Sequence, residues 1–132
     1  MTAHPDFIPL LWALGATVTL MGCAIATGLK GVRRVHYVCV SSMFLALGIA
    51  IYLAESLGRA FTFDAVVETI HLAFAWLTLM GAVPVIRSGI MVARGTGKKD
   101  VHRSWVRLFV TLALTTCILG ALMMSTGVPK TG

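Results

Sequence analysis

The sequence predicts an all-α integral membrane protein, a bundle of four transmembrane helices. Hydrophobic residues make up 58% of its 132 residues and charged residues only 12%, whereas soluble domains are about half apolar and about a quarter charged. Four apolar stretches fall at about 8–29, 35–54, 65–86 and 104–124, and each is close to the roughly 20 residues that cross a bilayer. They use most of the chain, so we expect a single transmembrane domain over 1–132.

Each of the four stretches qualifies as a membrane span because its ionisable residues are few and lie near its ends. The first contains no charged residue, and the second is interrupted only by His36. The third carries Glu68 and His71, and the fourth carries Arg107 close to its start. All four are therefore predicted to be helices that span the membrane.

The distribution of charge predicts how the chain is oriented. Nine of the eleven basic residues lie on one side, either between the first and second stretches or from the end of the third to the start of the fourth: Lys30, Arg33, Arg34, Arg87, Arg94, Lys98, Lys99, Arg103 and Arg107. The other side has only Arg59 and Lys130, together with most of the acidic residues. The positive-inside rule then puts both basic loops in the cytoplasm and both termini outside, as in a multi-pass protein of the bacterial inner membrane. Basic residues dispersed in this way do not indicate a nucleic-acid partner.

A short internal repeat relates the two halves of the chain. A Val-His pair follows a basic run at His36 and again at His102, which is 66 positions later. His4 and His71 each precede a phenylalanine by three positions, near the outer end of the first helix of each half. This pattern predicts two helical hairpins related by a pseudo-twofold axis along the membrane normal.

Several kinds of chemistry have no support in the sequence. Cys23, Cys39 and Cys117 lie in apolar stretches without CxxC spacing, which indicates neither a disulfide framework nor a zinc site. There is no nucleophile with a base partner and no phosphate-binding glycine loop. Any catalysis would belong to a bound cofactor, so we expect an electron carrier or an accessory protein rather than a stand-alone enzyme.

The histidines are the candidate functional residues, because ionisable side chains within spans are costly and rare. His36 and His102 begin helices that run in the same direction from the cytoplasmic interface, so they are predicted to lie at similar depth. Two imidazoles that face each other across a bundle can hold a haem iron or a copper ion. The alternative is that both rings simply lie in the headgroup region, where a polar ring tip costs little.

His71 is the candidate ligand of a second, outer haem. Small residues follow it on the same helix face and would form a groove for a flat cofactor: Ala75, Thr78 and Ala82. The symmetry candidate for the second ligand is His4, and Met123 or Met124 is the fallback. Alternatively, Glu68 and His71 could bind a metal ion with nearby acidic residues, or they could simply belong to a solvated acidic loop.

One face of the first helix carries the small residues Gly15, Thr19, Gly22 and Ala26 at helical spacing. Small residues let two backbones approach closely within a membrane. This face is therefore predicted to pack against another helix.

The histidine motifs resemble the YozB/CtaM-type family of small four-helix bacterial membrane proteins. The matching residues are His36, Ile70-His71, His102-Arg103 and the late Gly120, and the likeness extends from about Arg33 to Met124. The sequence departs from that family at Tyr37, where a basic residue is usual. The resemblance implies a role in the maturation of haem-copper oxidases and an architecture similar to membrane-bound di-haem b-type cytochromes.

Three functional hypotheses follow. The leading one is a small b-type cytochrome that binds one or two haems b through His36, His102, His71 and His4 and transfers electrons in a respiratory or related complex. The second is an assembly factor that inserts copper or haem into a haem-copper oxidase. The third is a cofactor-free accessory subunit. The expected partners are membrane lipid and either other membrane subunits or further copies of the chain, with quinone as an additional candidate.

Overall fold

Four long helices account for nearly all of residues 7–130, which are the residues that the computed structural model describes. They are α1 (Ile8–Leu29), α2 (Arg33–Ala60), α3 (Ala65–Ala93) and α4 (Lys99–Ser125). Each is long enough and apolar enough to cross a membrane. The predicted all-α class with four membrane-length helices is therefore confirmed. His4 lies outside the described residues.

The helix bounds agree with the sequence prediction for α1 and extend beyond it for the other three. α2 begins two residues earlier than expected and ends at Ala60, and α3 continues to Ala93 rather than stopping before Arg87. The charged residues at these ends are good helix formers, so the helices continue past the apolar stretches. Glu55 thus lies on α2, where it accepts a hydrogen bond of 2.6 Å from Arg59.

The described chain divides into two compact units, each of them an antiparallel helical hairpin. α1 packs on α2 in the first hairpin, and α3 packs on α4 in the second. Two strands of two residues each, β1 (Phe61–Thr62) and β2 (Val128–Pro129), lie beyond the open ends of the hairpins. The predicted division into two hairpins is therefore observed.

The same type of turn closes both hairpins. Gly31 and Gly95 have positive φ angles of 74° and 75°, a conformation that glycine adopts without steric cost. The residue after each glycine donates its amide hydrogen to the carbonyl five positions earlier in the chain. The Val32 amide donates to the Thr27 carbonyl at 3.0 Å, and the Thr96 amide donates to the Met91 carbonyl at 2.9 Å. This pattern is the Schellman motif, and it ends α1 and α3 just before the chain reverses.

The first hairpin buries a narrow stripe of side chains between its helices. On α1 the buried residues are Leu10, Thr17, Met21 and Ala24, and on α2 they are Met43, Ala50 and Leu57. The steps of about seven residues are those of helices that pack at a small crossing angle. Large apolar side chains elsewhere on the helices are exposed, as expected for a chain whose outer surface contacts lipid.

The second hairpin begins with a capped helix and is held together near its centre by hydroxyl groups. The Asp64 carboxylate accepts hydrogen bonds of 3.0 Å from the amides of Val66 and Val67 at the start of α3. Further along, the Thr78 and Thr116 hydroxyls lie 2.9 Å apart. The hydroxyl contact joins α3 to α4 at these two positions.

Candidate functional site

His36 is held in the first hairpin by a main-chain acceptor. It lies in the first turn of α2, where its amide bonds to the Val32 carbonyl at 3.0 Å. Its ring atom Nδ1 lies 2.8 Å from the carbonyl oxygen of Ala24 on α1. The ring also packs on Gly28, where an added Cβ would lie 3.1 Å from Nδ1. Glycine at position 28 is therefore what leaves room for the imidazole.

The partner of His36 determines which of its ring nitrogens carries the proton. A backbone carbonyl can only accept a hydrogen bond, so Nδ1 must be the protonated nitrogen. In the neutral ring Nε2 then carries the lone pair. The first hairpin thus fixes the tautomer as well as the orientation of the ring.

His102 is held in the second hairpin by a side-chain acceptor. It lies in the first turn of α4, and its Nδ1 is 2.9 Å from the Ser88 hydroxyl oxygen on α3. That hydroxyl donates its own proton to the Val85 carbonyl at 3.1 Å, so it accepts from Nδ1. The ring packs on Gly89, where a Cβ would lie 3.2 Å from Cε1. His102 therefore has the same Nδ1-protonated tautomer as His36.

The two histidines occupy equivalent places in their hairpins. The acceptor for His36 belongs to Ala24, seven positions before Gly31 of the first turn, and Ser88 stands seven positions before Gly95 of the second. In both hairpins the first turn of the second helix thus packs against the last turns of the first. The short repeat in the sequence corresponds to a repeated local geometry.

His71 packs in the second hairpin at the end opposite to His102. Its ring lies against Gly120 near the end of α4, where a Cβ would lie 3.1 Å from Cε1. Its Nδ1 is buried and forms no well-formed hydrogen bond with any residue in 7–130, although the Thr116 backbone is a polar neighbour. His71 therefore lacks the firm anchor that the other two rings have.

The small residues below His71 do not form the open groove that the sequence suggested. Thr78 and Ala82 are buried, and the Thr78 hydroxyl contacts Thr116 on α4. The stripe is covered because small side chains on α3 let α4 approach closely. Thr78 and Ala82 are thus covered in this structure, and an outer haem beside His71 stays a prediction.

The carboxylates near the start of α3 do not form a metal cluster with His71. Asp64 caps α3, and Glu55 pairs with Arg59 on α2. Within residues 7–130 there is no group of three or more histidine, cysteine or acidic side chains placed to hold a metal ion. A haem iron or a copper ion held by two imidazoles does not require such a group.

The sequence analysis missed the residues that hold the rings. Gly28, Ser88 and Gly89 were not selected, although each stands on the helix that precedes a histidine-bearing turn. Gly120 was noted only through the family resemblance, and in the structure it contacts His71. A glycine close to a hairpin turn, opposite a histidine on the next helix, is the sequence signal that would have indicated these contacts.

No protein-family model, curated protein or solved structure matches this chain.

Proposed function

We propose that this chain is a small b-type haem-binding membrane protein that transfers electrons in a respiratory or related complex, with His36 and His102 as ligands of a haem iron. The supporting observation is the hydrogen bond that each ring makes through Nδ1, to the Ala24 carbonyl and to the Ser88 hydroxyl. Histidines that bind metals nearly always donate the other ring N–H to such an acceptor. The acceptor fixes the ring and makes the ligating nitrogen more basic.

The hydrogen bond of each ring fits a ligand of haem iron. With the proton on Nδ1, the neutral form of each ring carries its lone pair on Nε2, which is the nitrogen that would bind iron. When bound, haem supplies a one-electron redox couple. Each hairpin holds its own ring at a fixed rotation, and the proposal takes one ligand from each hairpin. His71 has no equivalent anchor, so it is a weaker candidate for an outer haem with His4.

The proposed location is the bacterial inner membrane, with both basic loops in the cytoplasm and both termini outside. The four apolar helices support contact with lipid. The proposal further includes other membrane subunits or additional copies of the chain as partners, and quinone as a candidate redox partner.

An absorption spectrum tests the proposal. Protein purified in mild detergent from cells supplied with haem should show the α and Soret bands of reduced b-type haem. His36→Ala and His102→Ala should each remove those bands, whereas His71→Ala should retain them if one haem is bound. Loss of about half the absorbance in His71→Ala would indicate that the protein also binds an outer haem through His71. Colourless wild-type protein would contradict the proposal.

A second candidate function is a cofactor-free accessory subunit, and the packing of the imidazoles favours it. His36, His71 and His102 each fill a space left by a glycine on the neighbouring helix, so the rings would serve to hold the two helices of each hairpin together. This candidate predicts colourless protein that is destabilised by all three histidine substitutions. Copper bound without haem would instead support the alternative role in oxidase assembly.

A further inference from the structure

Arg87 is a charged residue within an apolar part of α3. Apolar residues precede it, and the run Ile90-Met91-Val92-Ala93 follows it before the helix ends. At 1.5 Å per residue, Arg87 lies about 10 Å along the helix from Arg94. A charged side chain at such a depth is costly, and it needs either a route to the headgroups or an anionic partner.

No protein carboxylate provides that partner within the described chain. The ion pairs formed there join Glu55 to Arg59 and Asp100 to Arg103. Arg87 and Arg94 have no carboxylate partner among residues 7–130. Two guanidinium groups on α3 are therefore available to an anion from outside the chain.

The surface between these arginines is a shallow groove on one face of α3. Its volume is about 440 Å³. Two charged and four apolar side chains line it: Val83, Ile86, Arg87, Ile90, Met91 and Arg94. The apolar members are all well exposed, so the groove is open along its length.

The dimensions of the groove match one leaflet of a bilayer. From Val83 to Arg94 the helix rises about 16 Å, and half of a hydrocarbon core is about 15 Å. Arg94 stands at the end of the groove next to the basic loop, and Arg87 lies about 10 Å further along the helix. The apolar Ile90 and Met91 lie between them, and Ile86 and Val83 continue beyond Arg87 toward the bilayer centre. Cationic groups on the loop side of an apolar end suit a phospholipid, whose phosphate lies above its acyl chains.

We propose that this groove binds an anionic phospholipid of the leaflet next to the basic loops, with its phosphate held by Arg87 and Arg94. A guanidinium group can hold two phosphate oxygens at once. The net charge of the two arginines favours a headgroup that carries net negative charge over a zwitterionic one. The apolar wall requires acyl chains, which inorganic phosphate lacks. The inference is independent of haem binding.

The test uses the full-length protein in detergent micelles, with bound lipid counted by native mass spectrometry. Titration with phosphatidylglycerol should give one retained lipid per chain, and phosphatidylcholine should bind more weakly. Arg87→Gln should weaken phosphatidylglycerol binding about fivefold to tenfold, since a basic residue near the membrane surface contributes on the order of 1 kcal/mol. Arg87→Lys should give an intermediate loss, because it keeps the charge but not the bidentate geometry.

The matched control is the double variant Lys98→Gln/Lys99→Gln, which removes two charges from the same loop but none from the groove. The affinity of this variant for phosphatidylglycerol should stay within about twofold of the wild-type value, as expected for charges outside the contact. An equal loss in the control and in Arg87→Gln would overturn the proposal in favour of general attraction to the basic loops. Equal retention of the two lipids, or displacement by millimolar inorganic phosphate, would also overturn it.

Discussion

The two hairpins hold equivalent histidines with different acceptors. In the first, the Nδ1 of His36 bonds to a main-chain carbonyl at Ala24, and in the second, the Nδ1 of His102 bonds to the hydroxyl of Ser88. Both rings pack on a glycine of the preceding helix. The result is the same tautomer from two different chemical groups.

This difference shows which part of the arrangement a substitution can remove. The carbonyl at position 24 remains whatever side chain stands there, so the anchor of His36 depends on backbone position alone. The anchor of His102 depends on one hydroxyl group. Substitution of Gly28 should therefore disturb the first hairpin and substitution of Gly89 the second. Substitution of the acceptor residue should have an effect only at Ser88 in the second hairpin, because the Ala24 carbonyl is part of the backbone.

The largest effect is expected from closing the space beside His36. In Gly28→Ala the new Cβ would lie 3.1 Å from the ring nitrogen, so the ring must move and its hydrogen bond to Ala24 must weaken. We expect the free energy of unfolding to fall by about 1–2 kcal/mol, because the cost of overpacking is partly offset by the better helix propensity of alanine. Unfolding in mixed micelles with SDS measures it.

Gly22→Ala is the matched control on the same helix, because no atom of residues 7–130 lies within 4 Å of its added Cβ, although its face was predicted to pack against another helix. Its free energy of unfolding should be unchanged or raised by up to about 1 kcal/mol. Equal destabilisation by the two substitutions would show that the contact with His36 has no special role.

The next effect separates the two anchors. Ser88→Ala removes the acceptor of His102 and leaves its Nδ1 proton without that partner, at a cost of about 1 kcal/mol. ¹⁵N NMR of the imidazoles should show a changed tautomer at His102 and an unchanged one at His36. Ala24→Gly, which keeps the carbonyl, should leave both tautomers as they are. A change at His36 in that variant would contradict the main-chain anchor.

A smaller effect is expected at the hydroxyl pair of the second hairpin. Thr78→Val removes the 2.9 Å contact with Thr116. Interhelical hydrogen bonds of this kind in membranes contribute about 0.6 kcal/mol on average, and the free energy of unfolding should fall by about that amount. The control is Thr111→Val, because among residues 7–130 that exposed hydroxyl bonds within its own helix, to the Arg107 carbonyl. A larger loss in the control would refute the assignment.

The smallest effect is expected at the exposed ion pair of the first hairpin. Glu55 and Arg59 lie 2.6 Å apart, and their side chains are 64% and 79% exposed. Such pairs on a helix surface stabilise by at most about 0.5 kcal/mol. Glu55→Gln should thus lower the free energy of unfolding only slightly, and the difference should disappear in 1 M salt, where charges are screened within about 3 Å. A loss that persists in salt would indicate another role for Glu55.

The sequence predicted the class of fold well, because lipid imposes a simple pattern on it. The bounds of α1 were correct at both ends, since Ile8–Leu29 contains no charge and is followed at once by Lys30 and Gly31. The ends of the other helices were underestimated, because their charged residues continue the helix and hydropathy marks only the apolar part.

The sequence singles out the candidate residues but does not predict their contacts. His36, His71 and His102 were selected because ionisable groups in spans are rare, yet their nearest partners lie on the neighbouring helix of the same hairpin. That pairing depends on the register of two antiparallel helices. The register follows from the turns at Gly31 and Gly95, whose positive φ angles an amphipathic pattern does not reveal.

The anchoring of the two imidazoles can be measured most directly by ¹⁵N NMR of the histidine rings in the purified wild-type protein without added haem. We predict that the neutral form of both His36 and His102 carries its proton on Nδ1. Protonation on Nε2 in either ring would contradict the account, because the nitrogen proposed to bind iron would then carry a proton.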